Sequence, residues 1–107
     1  MADRLAEFDE ATGWRRAHGW VHRVFPGRVV LAAPGERQRD LVGAASVLWV
    51  SLDEPATVAE IVERIDDALG VGAVDPAVLR AAMEGLAEAG LIVRCGAAGA
   101  EAACGRT

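Results

Sequence analysis

Lysine is absent from this chain, cysteine occurs twice, and aromatic residues make up only 5%. All 11 basic residues are therefore arginine, and 16 acidic residues outnumber them, for a net charge of −5. A sequence-independent grip on nucleic acid needs clustered Lys and Arg to neutralise phosphates. No such cluster exists here, so nucleic acid is not an expected partner, and an anionic membrane surface is disfavoured for the same reason. No apolar run approaches the roughly 20 residues of a membrane span. The start, Met1-Ala2-Asp3-Arg4-Leu5-Ala6-Glu7, lacks the basic and apolar regions of a signal peptide. A cytoplasmic location is expected. Cys95 and Cys104 are then expected to be free thiols, since a metal site needs more ligands at closer spacing.

What is present suits one small globular domain. The chain has 107 residues, of which 52% are hydrophobic. Residues 1–19 read as an N-terminal arm, in which Leu5 and Phe8 form one side of a short helix ended by Gly13. Trp20-Val21-His22-Arg23-Val24 reads as a strand with Trp20, His22 and Val24 on one face. Pro26-Gly27 is a turn, Arg28 to Ala33 a second strand, and Pro34-Gly35-Glu36 a second turn. Gln38 to Val42 is a third strand, with Arg39 and Leu41 on one side and Asp40 and Val42 on the other.

The helices carry clearer signals. Gly43 to Leu52 is short and apolar, with Trp49 in the core and Gly43 and Ser46 allowing close packing. Thr57 and Glu60 form a Thr-x-x-Glu capping box, in which each side chain satisfies the other residue's backbone N–H. Val58, Ile61, Val62, Ile65 and Leu69 then recur at helical spacing as a buried stripe, which Gly70 ends. Asp75-Pro76 starts the last helix as N-cap and first-turn proline. Val78, Leu79, Ala82, Met83 and Leu86 line it, and Gly90 follows as its C-terminal stop. Leu91-Ile92-Val93 packs back as a short strand. Residues 96–107 are dominated by Gly and Ala and read as a disordered tail. The expected fold is α+β: a three-stranded antiparallel sheet followed by three helices, like a winged helix-turn-helix.

No catalytic cluster emerges. His18 and His22 have no carboxylate or Cys partner nearby and read as surface histidines. Asp53-Glu54 and Asp66-Asp67 lack a basic or nucleophilic neighbour and read as solvated faces. Ser46 has no nucleophile elbow around it, and Gly70-Val71-Gly72 is not a phosphate loop. Trp14 and Trp20 read as covering one side of the sheet. No enzyme, metal or cofactor is expected.

Val29-Val30-Leu31, a turn, a strand, Leu41-Val42-Gly43-Ala44-Ala45-Ser46-Val47-Leu48-Trp49 and Leu52-Asp53-Glu54-Pro55-Ala56-Thr57-Val58-Ala59-Glu60-Ile61-Val62 follow in order. Together with Val78 through Gly90-Leu91-Ile92, they resemble the pyrroloquinoline-quinone biosynthesis protein D (PqqD) family over roughly residues 20–93, within an expected domain of residues 20–95. Such domains are RiPP recognition elements, serving ribosomally made, post-translationally modified peptides. The entry Val42-Gly43-Ala44-Ala45 and the hairpin Glu36-Arg37-Gln38-Arg39 depart from the Asn or Ser-Thr-Ala entry and regular hairpin of many members. The resemblance implies non-catalytic binding of a precursor's leader segment as an added strand, for presentation to a tailoring enzyme. The implied edge is Gln38, Arg39, Asp40, Leu41 and Val42. The implied helix face is Leu79, Met83 and Ala87, with Val78, Ala82 and Leu86 turned to the core; the alternative is that Leu79 and Met83 are core as well. Arg39 and Arg80 are placed to meet acidic leader residues. The rival reading is a DNA-binding winged-helix regulator, against which the acidic Asp75, Glu84 and Glu88 of the last helix count.

Overall fold

A computed structural model describes residues 11–97. The expected Leu5–Phe8 helix and residues 98–107 of the expected tail lie outside the described residues. The described residues are α+β, with two antiparallel three-stranded sheets and three helices. One sheet contains β1 (Thr12–Arg16), β5 (Ala56–Thr57) and β6 (Ile92–Ala97), in the order β5-β1-β6. The other is the meander β2 (Val21–Phe25), β3 (Arg28–Ala32) and β4 (Arg39–Val42). The helices are α1 (Ala44–Ser51), α2 (Val58–Leu69) and α3 (Pro76–Glu88).

The meander and the helices fall within a residue or two of their expected places. The single sheet does not: β1 is a strand where an arm was expected. Arg16 pairs with Ile92 and Gly13 with Thr57, and Trp14 is 1% exposed in the core. The expected boundary at residue 20 therefore falls inside the fold. Thr12-Gly13-Trp14-Arg15-Arg16 has one large apolar residue and no alternation. What makes it a strand is a partner nearly eighty residues away, which no local pattern records.

Local signals that depend on near neighbours hold. Glu60 Oε1 accepts from the Thr57 N–H at 2.8 Å, and the Glu60 N–H donates to Thr57 Oγ1 at 3.2 Å. The Ala77 N–H donates to Asp75 Oδ1 at 2.8 Å. α3 ends in a Schellman turn: Leu91 N–H reaches Leu86 O at 2.9 Å and Gly90 N–H reaches Ala87 O at 3.0 Å, with Gly90 at φ 76. Leu91, buried beyond the turn, completes it. Gly43 was expected to permit close packing. Its actual role is the φ of 58 with which β4 breaks into α1, since a Cβ there would meet nothing.

The core draws on both sheets and all three helices: Trp14, Leu31, Leu41, Trp49, Ile61, Met83 and Ile92 are all within it. The expected stripe of α2 is only partly covered. Ile61 and Ile65 are buried and Val58 is half-buried, but Val62 and Leu69 are exposed. The α3 stripe is rotated from its expected phase: Leu79 and Met83 are buried, and Val78 is 51% exposed. Heptad-like spacing marks a stripe but not its centre, which the packing of α3 on α1 fixes. Cys95 is disulfide-bonded, not a free thiol. Compartment argues for a thiol, whereas bond formation depends on Cβ separation, which sequence spacing does not give.

Candidate functional site

The meander leaves β2 and β4 as edges. The groups that β4 presents follow from the ladder. β2 and β3 join through the two residues Pro26-Gly27, with Phe25 opposite Arg28 and Gly27 at φ 70. A two-residue hairpin closes on a hydrogen-bonded pair, so Phe25–Arg28, Arg23–Val30 and Val21–Ala32 exchange bonds. Val29 and Leu31 then turn their N–H and C=O towards β4, where they meet Leu41 and Arg39. Alternation leaves Asp40 and Val42 with backbone groups facing away from β3. The free edge thus offers the N–H and C=O of Asp40 and Val42.

Side chains on this edge divide as expected. Leu41 is buried and Arg39 half-buried on the inner face, while Asp40 and Val42 are exposed on the outer face. Gln38 is exposed just before the strand. Arg39 Nε is buried without a hydrogen-bond partner. On the outer face Arg28 holds Asp40 through Nη2–Oδ1 at 3.2 Å and Nη2–Oδ2 at 3.3 Å, and its guanidinium lies 5.7 Å from the Phe25 ring centroid. Val21, Phe25 and Val42 are exposed on that same face.

The helix half of the expected site is placed differently. Leu79 and Met83, groove residues by the family resemblance, are 5% and 1% exposed and belong to the core. Ala87 is half-buried against it. Arg80 is exposed. Close backbone packing joins α3 to α1 and β6, and β4 to β3 and α1. The expected residues therefore gather in two places, the β4 edge and the α2-facing side of α3. On that side lies a groove of 540 Å³. Val58, Val62 and Ile65 form one wall, Ala77, Leu79, Ala81 and Met83 the other, and Asp66, Arg80 and Glu84 stand on it too. The opposite flank of α3 carries Val78, Ala82 and Gly85.

A residue the sequence reading passed over ties the sheets to the helices. Arg16 Nε and Nη2 donate to Trp49 O at 3.0 and 2.7 Å, and the guanidinium lies 4.9 Å from the Trp49 ring centroid. α1 has no basic residue in its own last turn, so β1 supplies the cation its C-terminus favours. Burial lowers the Arg16 pKa from its ordinary value, and the Asp53 carboxylate opposes that shift. His22 meets Trp49 edge-on at 6.1 Å between centroids. His18 and His22 are exposed, as expected. Among the described residues no group of three or more His, Cys, Asp or Glu is placed to hold a metal ion, and no helix is long and apolar enough to cross a membrane.

Comparison with family models, curated proteins and solved structures finds no match.

Proposed function

We propose that this chain is a non-catalytic peptide-binding domain. It captures the leader segment of a ribosomally made precursor as a fourth strand on β4 and presents it to a tailoring enzyme. The observation that carries the reading is the outward-facing N–H and C=O of Asp40 and Val42 on an edge strand that no other described element pairs with. Strand addition draws affinity from such backbone groups and selectivity from alternate side chains. Inward-facing leader residues would lie beside Arg39 and Leu41, outward-facing ones beside Asp40 and Val42. The helix contact implied by the family resemblance does not fall on Leu79 and Met83, which are committed to the core. In this reading the meander is the wing of a winged helix-turn-helix whose helices are α1, α2 and α3.

The test is fluorescence anisotropy with labelled precursor peptides encoded beside this chain's gene. A leader segment binds, the core segment does not, and mass spectrometry shows no mass change in precursor incubated with this chain alone. Leader affinity that survives when the β4 edge is blocked overturns the reading. The DNA-binding rival requires a gel shift with duplex DNA at physiological salt. The acidic balance of α3 argues against one.

A further inference from the structure

We propose that the α2–α3 groove docks a cationic amphipathic helix of a partner protein. This surface is separate from the β4 edge, and its test does not depend on the peptide reading. α2 and α3 each pack closely on α1, but no comparable packing joins them to each other. The gap is the 540 Å³ groove. The sequence pattern of α2 is wider than the core it covers: Val62 continues the stripe of Ile61 and Ile65 but is 40% exposed on the groove wall. Val74, Ala77 and Ala81 extend this apolar surface on the other side.

Charge chooses the occupant. Segment 58–88 contains seven acidic residues and two arginines, which gives −5, the net charge of the whole chain. One of the two, Arg64, is turned away, donating to Ser51 O at 2.7 Å and Glu54 O at 2.9 Å. That leaves Arg80 beside Asp66 and Glu84 on the groove. An apolar floor bordered by Asp66 and Glu84 against the single Arg80, within a segment of net −5, favours apolar anchors flanked by positive charge. Geometry chooses the conformation. Both walls are helices, whose backbone groups are already paired, so the occupant must satisfy its own backbone bonds and is a helix. The walls run from Val58 to Asp66 and from Pro76 to Glu84. Eight residue steps span about 12 Å, or roughly two turns of an incoming helix. Among the described residues no helix offers a basic amphipathic face, which favours a partner protein over a second copy of this chain.

The probe is a synthetic Leu–Lys peptide of about 14 residues, near the length at which isolated helices become marginally stable, with its leucines at helical spacing. A scrambled peptide of the same composition and a Leu–Glu analogue are the controls. Binding is read by anisotropy and by amide shifts in NMR spectra. The Leu–Lys peptide is expected to bind and to move amides of α2 and α3. Ala81→Arg, at an exposed helix position, is expected to weaken it about tenfold or more, and Asp40→Pro to leave it unchanged. Val62→Gln provides the same reading if Ala81→Arg does not fold. Equal affinity for the scrambled or Leu–Glu peptide overturns the proposal, as do shifts confined to other elements or unchanged affinity in both folded groove variants. Concentration-dependent shifts of α2 and α3 without peptide would identify a second copy as the occupant and likewise overturn it.

Discussion

Proline placed at neighbouring positions of β4 separates the ligand-facing bonds from those that hold the sheet. Asp40 turns its N–H outward and Leu41 turns its N–H to β3, as the pairing of Val29 with Leu41 dictates. Leu41→Pro removes a ladder bond worth about 1 kcal/mol. It also disrupts a side chain that is 6% exposed, where loss of burial costs about 2–5 kcal/mol. Against a typical total stability of about 5–15 kcal/mol, this variant is expected to be severely destabilised or unfolded. Asp40→Pro removes no ladder bond, and proline is tolerated on an edge with its missing N–H facing solvent. It does lose the exposed pair with Arg28, a term of about 0–1 kcal/mol, so this variant folds. It nevertheless lacks one donor that an added strand would use, about 1 kcal/mol or fivefold in affinity, and the ring crowds the incoming carbonyl as well. Asp40→Ala, which removes the carboxylate and keeps the donor, is the control and should bind leader within about twofold of the parent. Urea unfolding monitored by circular dichroism gives the stabilities, and anisotropy gives the affinities. A folded Asp40→Pro that binds leader as tightly as Asp40→Ala would refute strand addition at this edge.

Other expectations follow from residues that join distant parts of the fold. Arg16→Ala should cost about 1.5–3 kcal/mol, the range for hydrogen bonds to a charged donor, because Trp49 O loses its charged donor at the end of α1 and keeps only the Leu52 N–H among the described residues; chemical denaturation measures it. Trp14→Ala removes one of the largest buried side chains and should cost about 3–5 kcal/mol, seen as a loss of cooperative thermal unfolding. A merely peripheral arm would leave the transition unchanged. Gly43→Ala places a Cβ at φ 58 and should cost about 1–3 kcal/mol of backbone strain without a steric clash, so the variant's NMR spectrum should show shifts confined to the β4–α1 junction.

By itself the sequence determined those features whose partners lie within a few residues. The capping box of Thr57 and Glu60, the Asp75-Pro76 start of α3, its Gly90 end and the Pro26-Gly27 turn each rest on bonds closed locally, so their residue types announce them. The alternation of Arg39, Asp40, Leu41 and Val42 across β4 was legible for the same reason, because period two is a local property. Tertiary structure alone decided what depended on distant partners. It made a strand of Thr12–Arg16, since Arg16 finds Ile92 and Gly13 finds Thr57. It added a second sheet, β5-β1-β6, beside the expected meander. It rotated α3 so that Leu79 and Met83 entered the core and Val78 faced out. It brought Arg16 beneath the end of α1. A helical stripe of five apolar residues can bury any of several overlapping arcs, and only the neighbours that fill the space choose among them.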